Sequence, residues 1–315
     1  MQQTGSTLHL HIGLPKTATT FLQESVFPRI EGLHASCTPE AGPDLDPPGR
    51  SESLMAWALA RSPDIWRSAG DALFPAMLSG ASGMDGRDVL VSDERIGRTG
   101  SRADHLGAHL RALAIEARRR GFKRVTCLCA VRRQDLWYAS HYAQISDRNP
   151  DAGQKDFEAA VGRLVDPERG GRRFGRLLRY DGLRAALVDA LGAGNVLVCV
   201  YETMRETPDA FAADLATFLG RPVPLPARGA GSGSNVRNVG GRSWALRRYD
   251  RRAAGENART AAQAARATLR RLRPGAPGSI ELTPELSERI LTAYRASNLR
   301  LARDIDADLA RYGYC

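Results

Sequence analysis

Eight consecutive residues carry the clearest chemistry in this chain: Gly13-Leu14-Pro15-Lys16-Thr17-Ala18-Thr19-Thr20. They follow a short apolar run, Leu8-His9-Leu10-His11-Ile12, and lead into a pattern of helical period that starts at Phe21-Leu22-Gln23. A loop at such a junction presents unpaired backbone N–H groups and the positive end of a helix dipole, which together make an anion site. Lys16 adds a point charge, and Thr17, Thr19 and Thr20 add hydroxyl donors. An ordinary strand-to-helix turn capped by threonine would explain the hydroxyls but not the glycine and the lysine beside them. A Walker A loop, G-x-x-x-x-G-K-[ST], has a second glycine directly before its lysine; here Pro15 holds that place, so the anion cradled is shaped differently from a triphosphate.

A second basic cluster, Arg132-Arg133-Gln134-Asp135, follows the apolar run Arg124 to Val131 and opens a helical pattern that includes Ser140. A guanidinium there gives charge-assisted hydrogen bonds to phosphate. Val91-Ser92-Asp93-Glu94 follows another apolar run and supplies carboxylates at the same end of the sheet. A partly desolvated carboxylate at that place suits a general base. Glu94 is the first choice, Asp93 its rival, and a surface pair of Glu94 with Arg95 or Arg98 the structural alternative. His9 and His11 share one strand face and read as structural histidines. No cluster has metal-ligand spacing.

The elements that must position these groups follow from the pattern. Four apolar runs, Leu8–Ile12, Asp88–Val91, Arg124–Val131 and Asn195–Val200, alternate with longer helical stretches such as His105 to Arg120. That alternation predicts an α/β fold of P-loop type, a central parallel sheet with helices on both faces, in a single domain over residues 7–312. Ligands of such sheets bind beyond the carboxyl ends of the strands, where all three clusters fall. Pro39 to Arg50 and Pro226 to Ser243 read as loops, the latter flexible. An Arg/Ala-rich helical stretch is expected from Trp244 to Leu272, and an amphipathic helix from about Thr283 to Tyr312, capped by Thr283 with Pro284 in its first turn.

Composition sets the outer limits. The chain has 315 residues, 43% of them hydrophobic and 25% charged, an ordinary globular balance. Cys37, Cys127, Cys129, Cys199 and Cys315 are scattered and odd in number, as reduced thiols are, so a cytoplasmic setting is expected. The N-terminal residues lack the features of a secretory signal and no apolar run approaches the length of a membrane span. A net charge of +10 favours an anionic partner.

Gly13-x-Pro15-Lys16-Thr17-x-Thr19-Thr20 resembles the 5′-phosphosulfate-binding loop of sulfotransferases that use 3′-phosphoadenosine 5′-phosphosulfate (PAPS), with Ala18 where that family usually has glycine. The resemblance implies a cofactor-binding loop made of Gly13, Pro15, Lys16, Thr17, Ala18, Thr19 and Thr20. It implies that Arg132 and Ser140 bind the 3′-phosphate of PAPS and of its product PAP. It implies that Tyr201, in Val200-Tyr201-Glu202-Thr203-Met204, lies near the adenine. Arg237, in the Arg228 to Arg242 segment, is the candidate for closing over the nucleotide. Lys16 would stabilise the leaving phosphate and Glu94 would take the acceptor's proton. The family needs no metal. The activity implied is transfer of a sulfuryl group from PAPS to a hydroxyl or amine acceptor, a small molecule or a glycan, with a carbohydrate or glycolipid expected, held by loops such as Pro39–Gly83 and Asn149–Arg173. Two other readings stay in play: a P-loop kinase with Asp93 on Mg²⁺, and a non-catalytic binder of polyanions or nucleic acid using the Arg247–Arg273 stretch. Nucleic acid is disfavoured, because no recognisable motif accompanies that charge and aromatics are few, at 6%. Peripheral contact with a membrane stays compatible with the basic surface, and the sequence does not specify an oligomeric state.

Overall fold

The computed structural model describes residues 6–39, 53–78, 87–99, 102–166, 174–226, 238–250 and 278–315. The apolar runs form parallel strands: β1 (Thr7–His11), β3 (Asp88–Ser92), β4 (Arg124–Val131) and β5 (Val196–Val200). A further strand, β2 (Leu33–Cys37), was not expected. It lies at the sheet edge, in the order β2-β3-β1-β4-β5, where one neighbour suffices and only Ser36 is fully buried. The chain leaves β1 toward the β2 edge and leaves β4 toward β5. Their outgoing loops therefore part on either side of a crevice, which is the switch point where such sheets bind ligands.

Alternation along the strands builds two separate apolar layers. Leu8, Leu10, Ile12, Val89, Val91, Val125, Cys127 and Cys129 face one layer, packed with helices α4 (Gly70–Leu78), α6 (Ala103–Arg119) and α10 (Tyr180–Leu191). Leu90, Leu128 and Cys199 face the other, against Val26 and Phe27 from the segment after β1 and Phe211, Leu215 and Leu219 of α12 (Pro208–Leu219). A parallel sheet covered on both faces is the expected solution for strands this apolar. Burial pushes the Cys127, Cys129 and Cys199 thiols up, so they pack as neutral core groups. Among the described residues no helix is long and apolar enough to cross a membrane.

The second half of the chain departs from expectation. Residues 238–240, within the segment read as a flexible loop, pair with Ser243–Ala245, and that strand pairs with Ser279–Glu281. In this small antiparallel sheet (β6, β7, β8) Trp244 is buried, so the expected helix from Trp244 does not begin there. The physical reason is the tryptophan itself: an indole with hydrophobic core available is worth more buried in a hairpin than exposed on an Arg-rich helix. The rest of that expected helix, residues 251–272, lies outside the described residues. The last helix, α13 (Pro284–Ile305), starts as expected, with Thr283 accepting from Leu286 N and Pro284 in the first turn. It stops short of Tyr312 because Asp306 turns left-handed (φ 49°), and the chain folds back to bury Leu309 and Tyr314.

One buried carboxylate fastens these parts. Asp135, at the start of α7 (Gln134–Gln144), is fully buried. It accepts from Arg133, from Arg242 of the β6–β7 turn and from the Ser287 hydroxyl of α13. Removing one partner of a buried ion network leaves the others uncompensated. Asp135→Ala is expected to lower the unfolding free energy by about 3–5 kcal/mol, read from urea denaturation. A loss under 1 kcal/mol would show that solvent already satisfies the arginines.

Candidate functional site

The loop after β1 is shaped from behind. Its carbonyls are drawn inward: Leu14 O accepts from Thr17 Oγ1 (2.6 Å), Pro15 O from the Trp137 indole, and Lys16 O from Arg132 Nη1 (3.1 Å). In a trans peptide the C=O and the following N–H point opposite ways. Anchoring the carbonyls of Pro15 and Lys16 therefore turns the N–H groups of Lys16 and Thr17 away from the core. Lys16 (φ 69°) and Ala18 (φ 61°) both have positive φ, with Thr17 between them, a backbone of the kind found in anion-binding nests. Gly13 is sterically required, since a Cβ there would collide with Thr19 Oγ1 and lie 3.0 Å from the His11 ring.

This geometry corrects two details expected from sequence. Of the three threonine hydroxyls, that of Thr17 spends its proton on Leu14 O and closes the loop instead of facing a ligand. The helix after the loop begins two residues earlier than expected and is irregular. One α-turn, α1 (Thr19–Phe21), continues without a break into a π-turn at Leu22–Val26 and a 3₁₀ turn at Phe27–Arg29. Thr19 is buried, and its Oγ1 has no hydrogen-bond partner. Thr20 is half-buried.

Across the crevice, the structure separates the two arginines that the sequence leaves side by side. Arg133 is consumed: its side chain binds Asp135 and Tyr312 O (3.3 Å), and its N–H donates to Glu202 Oε1 (3.1 Å). Arg132 faces the loop. It donates to Lys16 O, its guanidinium lies 4.7 Å from the centroid of the Tyr201 ring, and its Nε is buried with no partner. Its own carbonyl is held by the Tyr180 hydroxyl (2.7 Å). Tyr201, half-buried, opens α11 (Tyr201–Glu206) directly after β5. Glu202 accepts a second bond from the Tyr314 hydroxyl (2.8 Å), and Thr203 donates to the Tyr312 hydroxyl (3.2 Å), so the end of the chain braces this side. Ser140 is buried on α7, the helix that Trp137 fastens to Pro15. Arg237 lies outside the described residues.

The carboxylates behind β3 take different places. Asp93 is fully buried and committed, accepting from Ser53 Oγ and from Arg95 N (2.8 Å). Glu94 is half-buried at the start of α5 (Glu94–Thr99) and accepts from Arg98 at 3.2 Å. The surface pair that was the structural alternative for Glu94 is thus present. With both partners more than a third exposed it is a weak tie that a ligand can displace. Gly97 seats α5 on the loop after β1: a Cβ there would be 2.9 Å from Gly13 O and 3.0 Å from Ile12 O. The sequence signal for this contact is a glycine inside a short helix that directly follows a strand.

His141 is a further site residue that sequence reasoning passed over, although it follows Ser140 and lies one helical turn beyond Trp137. Its ring stacks on the Trp137 indole (centroids 4.8 Å apart, 13° between planes). Burial first, then the charges of Arg98, Lys16 and Arg148, lowers its pKa to about 3. A neutral imidazole thus sits among cations that belong to three different elements of the site.

No family model matches the chain, and no curated protein matches it either. Solved structures do. A sulfotransferase from Alicyclobacillus acidocaldarius superposes with a TM-score of 0.52 at 14% identity, over 96% of this chain and 97% of the other. The chain has a sulfotransferase fold. A weaker likeness, TM-score 0.41 at 15% identity, is to the sulfotransferase domain of the Synechococcus PCC 7002 olefin synthase, over 91% of this chain and 94% of that one.

Ala18 provides a direct check on the loop. An L-residue in the left-handed region costs about 1–2 kcal/mol, which glycine avoids at some cost in unfolded-state entropy. Ala18→Gly is therefore expected to raise stability by about 0.5–1 kcal/mol, measured by urea denaturation. A destabilised variant would mean that Ala18 is not left-handed in solution.

Proposed function

We propose that the protein transfers a sulfuryl group from PAPS to a hydroxyl or amine acceptor, a carbohydrate or glycolipid by the family resemblance and the basic surface. The observation that carries the reading is a pair of buried, unpartnered polar atoms, Thr19 Oγ1 and Arg132 Nε, one on each side of the crevice. Both atoms carry a hydrogen to donate, and buried donors without partners are costly unless a ligand satisfies them. An anion with phosphate groups at both ends of a nucleoside meets that need. Bound PAPS would supply the sulfuryl group and a phosphate leaving group.

The chain's own residues then divide the work. The N–H groups of Lys16 and Thr17 and the Thr19 hydroxyl hold the 5′-phosphosulfate end. The Lys16 ammonium stabilises charge growing on the leaving phosphate. Arg132 and Ser140 hold the 3′-phosphate, and Tyr201 offers its ring to the adenine. Glu94, released from Arg98, accepts the proton of the acceptor. The kinase alternative is disfavoured, because each Asp93 oxygen already accepts a hydrogen bond, from Ser53 and from Arg95.

The donor site is tested by calorimetry without divalent metal. Wild-type protein is expected to bind PAP, and Arg132→Ala to weaken PAP by about 10- to 150-fold, the worth of a charge-assisted contact. Adenosine 5′-phosphosulfate, which lacks the 3′-phosphate, should lose clearly less, only what freeing the Lys16 carbonyl costs the loop. An equal loss for both ligands would make Arg132 structural. The base is tested in turnover with radiolabelled PAPS over a panel of glycans, lipids and phenols. Glu94→Gln should lower kcat by about 10²–10⁴-fold with PAP affinity unchanged. Normal turnover by that variant would remove Glu94 from the mechanism.

A further inference from the structure

Directly beneath the phosphate loop, β1 turns two histidines instead of aliphatic side chains toward the second apolar layer. His9 is held by Thr126 Oγ1 (2.7 Å). His11 is fully buried, edge-on to Phe27 (centroids 5.1 Å apart), with its Nδ1 2.7 Å from Ser92 Oγ. Its Nε2 has no partner.

The hydrogen-bond pattern decides which nitrogen carries the proton. Gln23 Nε2 donates to the carbonyl of Ser92 (3.1 Å), which fixes the amide's orientation, and donates to Ser92 Oγ as well (3.0 Å). Ser92 is fully buried, so its hydroxyl proton needs an acceptor, and His11 Nδ1 is the one in reach. The ring is then an acceptor at Nδ1 and carries its hydrogen at Nε2. Burial lowers its pKa to about 3, so it stays neutral.

A second unpartnered polar atom stands close to that Nε2–H, across Gly13. The point where a Cβ on Gly13 would stand is 3.1 Å from His11 Nε2 and in closer contact still with Thr19 Oγ1. Two buried, unpartnered polar atoms thus flank the same face of Gly13, and one of them belongs to the loop. We infer that His11 is a positioning residue of the phosphate loop: fixed as the Nε2–H tautomer, it donates to Thr19 Oγ1 when the loop closes on an anion, which turns the Thr19 hydroxyl proton toward that anion. Gln23, Ser92, His11 and Thr19 then form one directed chain of donors ending at the ligand, and each bond polarises the next. Gly13 leaves the space the chain runs through, a second reason for glycine at that position. The inference rests on the proposed role of the loop in holding the phosphosulfate end of the donor.

The test uses the full chain labelled with ¹⁵N-histidine, with the His11 signals assigned by their loss in His11→Gln. Long-range ¹H–¹⁵N spectra should show His11 as the neutral Nε2–H tautomer from pH 5 to 8, and PAP should move its Nε2–H proton downfield. In Thr19→Val, which keeps the shape and removes the hydroxyl, that shift should vanish. An Nδ1–H tautomer, an imidazolium in that range, or the same shift in Thr19→Val would overturn the inference. In calorimetry, His11→Gln, whose amide can stand in for Nε2–H, should keep PAP affinity within about threefold, and His11→Phe should weaken it by about five- to tenfold. Equal affinities for the two variants would also overturn it. If His11→Phe does not fold, the spectra alone decide. If the wild-type protein binds no PAP, the functional reading fails, and pyrophosphate takes its place as the probe of the loop. A response of the His11 Nε2–H to pyrophosphate would then uphold the positioning role, and none would end it.

Discussion

The site depends on carbonyl groups being pulled out of the way. A short loop between a strand and a helix has as many acceptors as donors, and an anion is repelled by the first and held by the second. Here the indole of Trp137 and the guanidinium of Arg132 take the carbonyls of Pro15 and Lys16, and both come from the segment after β4. The donor face of one loop is therefore created by residues more than a hundred positions away, across the crevice between adjacent strands. Arg132 thereby has two tasks, shaping the first loop and offering a buried Nε to whatever lies between. The two halves of the crevice are not independent modules.

The same constraint explains the packing around the loop. With its carbonyls held, the loop can be approached closely from both sides only by groups that add no bulk. Gly97 brings α5 against Gly13 O and Ile12 O, and Gly13 itself leaves room between His11 and Thr19. Glu94 sits one turn before that contact, so its distance from the loop is set by a glycine rather than by its own interactions. Its tie to Arg98 is exposed and replaceable, while the neighbouring Asp93 is locked in place by Ser53 and Arg95. Adjacent carboxylates thus have opposite characters, one structural and one available.

Much of this was legible in the residues themselves. Four strands announced themselves as apolar runs, and Gly13 to Thr20 stood out because glycine, lysine and three hydroxyls meet where a strand ends. The edge strand β2 did not, since Leu33-His34-Ala35-Ser36-Cys37 lacks the apolar density that burial on both faces imposes. The choice between Arg132 and Arg133 depends on distant Asp135 and Tyr312, which no local pattern reveals. The inward turn of the Thr17 hydroxyl follows from backbone geometry alone. Trp244 misled because arginine and alanine dominate its downstream neighbours, whereas its own burial is a tertiary event. His141 belonged to a helix already singled out, and only the stacking on Trp137 gives it meaning.

The ties around Asp135 and Glu202 also set an order of events during synthesis. Asp135 and Ser287 are 152 positions apart, and Glu202 and Tyr314 are 112 apart. At roughly 5–20 residues per second a ribosome needs about 8–30 s to cover the first interval. Throughout that time the first four strands can pair, yet the segment that carries Arg132 lacks its rear support. Long-range closure of this kind slows folding and prolongs exposure of half-assembled surfaces. The nascent protein would thus have the loop after β1 early and its complete crevice last, a window in which chaperones have the most to contribute.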